Sequence, residues 1–118
     1  MPAWMRAAIR KLEKPEWRPF LDVVSKLLEA KRAEIEVASL DLGGQELAEW
    51  LPLHGITYDP KDDVVEVALD GLDHMIHQPR EIYLDNGAGT LTSIEIVDAN
   101  GFKQIVKLRD QLALPSPR

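Results

Sequence analysis

A chain of 118 residues with 45% apolar and 29% charged residues has hydrophobic mass for one folded domain and too much for a disordered one. No cysteine is present, which excludes thiol catalysis, disulfides and cysteine-ligated zinc and leans toward a cytoplasmic protein. The net charge of −6 is uneven, with eight Lys/Arg against four Asp/Glu over residues 1–32 and six against sixteen over residues 33–118, so the acidic part disfavours nucleic acid.

Residues 1–14 form an N-terminal arm. Trp4, Ala7, Ala8 and Leu12 recur at helical spacing, which fits a short helix, a docked arm or a frayed end. Trp4 favours docking, onto this chain or a partner. Arg6, Arg10 and Lys11 are followed by no apolar stretch of signal-peptide length, and no run of about 20 apolar residues offers a membrane span. The expectation is a protein without a membrane partner.

Residues 15–32 carry the clearest helix. Trp17, Phe20, Leu21, Val24, Leu27 and Leu28 fall on one face of a 3.6-residue period, and Asp22 precedes Lys26 by one turn. Lys31 and Arg32 suit the negative end of the helix dipole. Pro19 removes an interior backbone bond if the helix begins at Pro15, so the first turn is distorted or the regular helix starts near Pro19.

Beyond Arg32 the pattern is strands and turns. Strands are predicted near residues 34–41, 46–53, 55–58, 63–69, 81–85, 91–98 and 102–109, separated by Gly43-Gly44, Asp59-Pro60, Asn86-Gly87 and Asn100-Gly101. Pro52 and Gly55 bend one long strand into two pieces. For the last hairpin, a three-residue loop with Gly101 left-handed sets Ile94 opposite Val106 and Val97 opposite Lys103. This register gathers Ile94, Ile96, Phe102, Val106 and Leu108 on one face, so it is preferred over a two-residue turn. An apolar helix stripe and a one-sided sheet need each other. The predicted fold is therefore α+β: one N-terminal amphipathic helix packed on an antiparallel β-meander of about six strands, within a single domain over residues 15–112. Residues 113–118 read as a disordered tail.

One cluster invites a chemical reading: Asp73-His74-Met75-Ile76-His77, followed by Pro79, Arg80 and Glu81. On a helical turn, His74 and His77 would share a side, and two imidazoles so placed hold a metal with Asp73, Glu81 or His54 as a further ligand. An open position on that metal would activate water for hydrolysis. No complete ligand motif accompanies the pair. The plainer reading is a connecting turn in which Met75 and Ile76 plug the core. Asp59-Pro60-Lys61-Asp62-Asp63 is acidic enough for a cation but reads as a hairpin turn whose aspartates accept local amides. No nucleophile elbow, phosphate-binding glycine loop or dinucleotide fingerprint is present, and no cofactor is implied.

Trp50 alternates with apolar Leu47, Leu51 and Leu53. If the leucines point inward, Trp50 joins Ala38 and Leu40 on an outer apolar face, an interface for a second copy or a protein partner.

The run Lys11-Leu12-Glu13-Lys14-Pro15-Glu16-Trp17-Arg18, the stretch 33–42 (AEIEVASLDL) and the segment 55–82 (GITYDPKDDVVEVALDGLDHMIHQPREI) resemble a family of small bacterial proteins known as a domain of unknown function. The resemblance covers about residues 11–114. Strand residues Ile56 to Leu69 and Ser93 to Asp98 are also similar, in part, to a second small β-meander family. Neither resemblance implies catalytic residues; the first implies a bacterial, cytoplasmic protein. The leading expectation is a non-enzymatic binding or assembly module that forms homo-oligomers through Trp4, Ala38, Leu40 and Trp50. Its rival is a metal-dependent hydrolase built on Asp73, His74 and His77.

Overall fold

A computed structural model of the chain describes residues 9–27, 32–39, 43–85 and 90–113, with side chains placed for 9–27, 51–85 and 90–109. In chain order the elements are β1 (Ile9–Leu12), α1 (Lys14–Leu27), β2 (Arg32–Ser39), β3 (Gly43–Asp59), β4 (Val64–Leu69), β5 (Leu72–His77), β6 (Pro79–Asp85), β7 (Thr90–Asp98) and β8 (Lys103–Ala113). The α+β class holds, with one helix near the N-terminus packed on antiparallel sheet.

The helix forms where its periodicity placed it and starts earlier, at Lys14, with Pro19 inside. Its start is closed from both sides. The Glu13 amide donates to Glu16 Oε1 at 3.2 Å, the carboxylate half of a capping box. Arg10 pairs with the other oxygen of Glu16 at 3.0 Å, tying β1 to the helix entry. Trp17, Leu21 and Val24 are buried, and Phe20 and Leu27 pack partly buried against the same core. Leu28 and the segment to residue 31 lie outside the described residues.

The strands are hydrogen-bonded in the order β1-β6-β7-β8-β2-β3-β4-β5. Two meanders, β2 to β5 and β6 to β8, are joined by the pairing of β8 with β2. The expected helix on an antiparallel meandering sheet is present, and among the described residues its strands number eight, arranged as two meanders. The join is long-range, Ala33 lying opposite Leu108, and no local pattern announces it. The two pieces expected at residues 46–53 and 55–58 are one strand, β3. Its first part pairs with β2 and its last part with β4, and a bulge between Leu53 and Gly55 makes His54 the extra residue. The β7–β8 hairpin has the expected register: Ile94 faces Val106, Val97 faces Lys103, and Gly101 has φ 83°. Part of the N-terminal arm, β1, docks as a strand on β6, with Lys11 Nζ 3.3 Å from Glu81.

Pairing of β2 with β3 ends at Pro52, which leaves the next stretch of β3 without a strand neighbour on that side. Helix α1 covers it. The Ser25 hydroxyl donates to the Ile56 carbonyl at 2.6 Å and accepts from the Ile56 amide at 2.9 Å, standing in for a strand residue. Ser25→Ala leaves both backbone groups unpaired in a half-buried place. We expect a loss of about 1–3 kcal/mol in urea unfolding free energy, with the fold otherwise retained.

Candidate functional site

The predicted turn at the histidine cluster is a strand. Asp70-Gly71, with Gly71 at φ 76°, closes a tight hairpin, and β5 then pairs with β4 without interruption from Leu72 to His77. A period of two therefore replaces the helical turn. His74 and Ile76 face inward, whereas Asp73, Met75 and His77 are exposed. Three residues apart on a strand is opposite faces, so His74 and His77 diverge. Asp73 and His77 share a face but stand four residues apart, about 14 Å along the strand. His54 lies 3.3 Å from Asp70, and Glu81 is engaged by Lys11. Among the described residues, no group of three or more His, Asp or Glu side chains is placed to hold a metal. The sequence-predicted set of Asp73, His74 and His77 is thus not brought together.

What the fold brings to His74 is Gln104, from β8, a strand that is not its neighbour in the sheet order. His74 Nε2 hydrogen-bonds Gln104 Oε1, and Gln104 Nε2 donates to Asp98 Oδ2 at 3.3 Å. The other Asp98 oxygen accepts the amides of Asn100 and Phe102 at 2.9 and 3.0 Å, which fixes the carboxylate on the β7–β8 turn. A carboxylate accepts only, so the Gln104 amide must turn its NH2 to Asp98 and its oxygen to the imidazole. His74 Nε2 then carries the proton and donates. In this order of donors and acceptors the array fastens the three side chains to one another. It ties β5 to β8. Gln104 is the functional-looking residue that sequence reasoning missed. Its signal is a polar side chain at the inward position between Phe102 and Val106.

A second polar cluster surrounds Tyr58, whose ring meets Trp17 edge-on at a centroid distance of 5.1 Å. The Tyr58 hydroxyl donates to Asp63 Oδ1 at 2.8 Å. Burial, followed by that hydrogen bond, pushes the phenol up to about 12. Asp63 and Gln78 are non-glycine residues with φ 52° and 53°, and the Gln78 amide donates to the Asp63 carbonyl at 2.9 Å. This contact holds the corner at which the chain passes from β5 into β6. Beside it lies an open groove of about 320 Å³ lined by Lys14, Asp63, Gln78, Pro79, Arg80 and Ala99. The Asp59 turn is the hairpin its sequence suggested, with Asp59 Oδ1 accepting the Lys61 amide at 2.9 Å.

Of the expected interface residues, Trp4 and Leu40 lie outside the described residues. Ala38 and Trp50 belong to described strands, Ala38 opposite Gly44 and Lys103, but their side chains lie outside the description.

No solved structure matches the chain. An uncharacterised protein of Aquifex aeolicus (strain VF5) is 38% identical over 109 residues, covering 92% of this chain and 98% of the relative. The model of the family of unknown function DUF5335 matches residues 8–117, so nearly all of the fold described above is the family's unit. The chain belongs to that family.

Proposed function

We propose that this protein is a cytoplasmic, non-enzymatic binding or assembly module that engages protein, in homo-oligomers or with another partner. The observation that carries the reading is the contrast at β5. Its inward histidine is fastened to Gln104, while its outer face exposes Met75 at 43% on a strand at the end of the sheet order, and Leu72, on the inward face beside the turn, is also 38% exposed. Exposed apolar side chains on a sheet edge are a recurrent means of protein association. The acidic balance of residues 33–118 supports a protein partner over nucleic acid, and the cysteine-free composition supports the cytoplasm. Among the described residues, no helix is long and apolar enough to cross a membrane. Trp4, Ala38, Leu40 and Trp50 stay within the proposal as additional contact residues.

The test is enzymatic. Protein supplied with zinc or manganese should show no turnover of ester, amide or phosphodiester substrates above its His74→Ala variant. Turnover that needs His74 would overturn the reading.

A further inference from the structure

Among the described residues, β5 at the far end of the sheet order has a strand neighbour on one side only. Hydrogen bonding elsewhere reveals which groups face the other side. Ile56 of β3 directs its amide and carbonyl to Ser25, away from β4. Its cross-strand neighbour Val67 must then direct its own pair away from β3, toward β5, and so engage His74. Leu72, His74 and Ile76 therefore bond to β4. Asp73, Met75 and His77 present their amides and carbonyls to the open edge.

Edge strands are commonly blunted by lysine, proline, bulges or shortness. The opposite end of the order, β1, is four residues long and carries Arg10 and Lys11. By contrast, β5 runs six residues in unbroken register with β4 and contains no lysine or proline. Its only carboxylate, Asp73, and its outer imidazole, His77, have no hydrogen-bond or ion-pair partner among the described residues.

Resting on the assembly-module reading, we propose that the partner is a second copy of this chain, joined β5 to β5 antiparallel about a two-fold axis at Met75. The register follows from chemistry. With the axis at Met75, Met75 meets the partner's Met75, and Asp73 meets the partner's His77 twice over. All three outward-facing residues of each strand then exchange both backbone hydrogen bonds. An axis at Ile76 would set Asp73 against the partner's Pro79, which has no amide to give. An axis at His74 would set Asp73 against the partner's Met75 and leave His77 facing the turn glycine, Gly71. Only the Met75 axis pairs carboxylate with imidazole, and it does so symmetrically, as an isologous interface requires. The left-handed corner at Gln78 and the missing amide of Pro79 end the edge on one side, and the Asp70-Gly71 turn ends it on the other.

The test is sedimentation equilibrium of the full chain at several micromolar concentrations, with exposed-residue variants checked for an unchanged circular dichroism spectrum. Wild type is expected to dimerise. Asp73→His sets imidazole against imidazole, and His77→Asp sets carboxylate against carboxylate. Each should weaken the dimer about tenfold. The double variant Asp73→His/His77→Asp exchanges the two groups and should recover wild-type affinity. A dimer indifferent to both single changes, or weakened by them without recovery in the double variant, would overturn this edge and register while leaving the assembly reading in place. A wild type that stays monomeric would overturn the homotypic partner and leave a different protein partner as the content of that reading.

Discussion

Replacing Trp17 by alanine should lower the unfolding free energy by about 3–5 kcal/mol, the range for truncating a large buried aromatic. Trp17 is 2% exposed and stands where three elements meet. Its indole N–H donates to the Leu12 carbonyl at 3.2 Å, holding the end of β1 against the helix. Its ring packs on Tyr58 of β3, and Lys14 lies over the ring at 5.6 Å. Alanine thus removes apolar contact, an aromatic pair and a hydrogen bond together. Urea unfolding followed by far-ultraviolet circular dichroism measures the loss. Trp17→Phe keeps most of the volume and forfeits the donor, so it should cost a smaller amount, about 1–2 kcal/mol. An alanine variant within about 1 kcal/mol of wild type would mean that α1 is not the lid of this core.

Stability should fall between pH 10 and about 12 through Tyr58. Its phenol has an ordinary value of 10.0 and is held at about 12 in the folded chain, first by burial and then by the hydrogen bond to Asp63. Below pH 10 both folded and unfolded chains keep the proton, and the stabilising contribution is complete. As pH rises past 10, the unfolded chain ionises first while the folded chain holds its proton, so unfolding becomes progressively favoured until the folded phenol also ionises. A shift of this size corresponds to at most about 2–3 kcal/mol across the window, reduced by whatever screening water provides at the hydroxyl. Lys11, raised mainly by its hydrogen bond to Glu81, and Tyr83, raised mainly by burial, titrate in the same direction. The measurement is therefore a difference between wild type and Tyr58→Phe. At neutral pH the variant should be about 1 kcal/mol less stable, because Asp63 loses its donor. The gap should close and then reverse as pH rises toward 12. Parallel curves over that range would show that Tyr58 is not the titrating group.

Residues close together in the chain made much of this architecture legible. Trp17, Leu21 and Val24 announced a buried helix face through their spacing, and they are buried. The β7–β8 register followed from which loop places Ile94, Ile96 and Val106 on one side, and Gly101 is left-handed as that loop requires. The same local logic fails at β5, where the decisive signal is the Asp70-Gly71 turn. Without it, His74 and His77 could be imagined on a helical turn. Once Leu72–His77 is a strand, alternation alone separates the two imidazoles.

Sequence by itself determined the class of the protein, its helix, most of its strands, and the sidedness of each, because periodicity and turn chemistry act over a few residues. Tertiary structure alone decided which surfaces meet: β1 on β6, β8 on β2, Ser25 on the bare backbone of Ile56, and Gln104 under His74. Those partners lie tens of residues apart along the chain. An apolar stripe or an unpaired amide specifies that it must be covered but not by what, and the covering group is selected by the closure of the whole core.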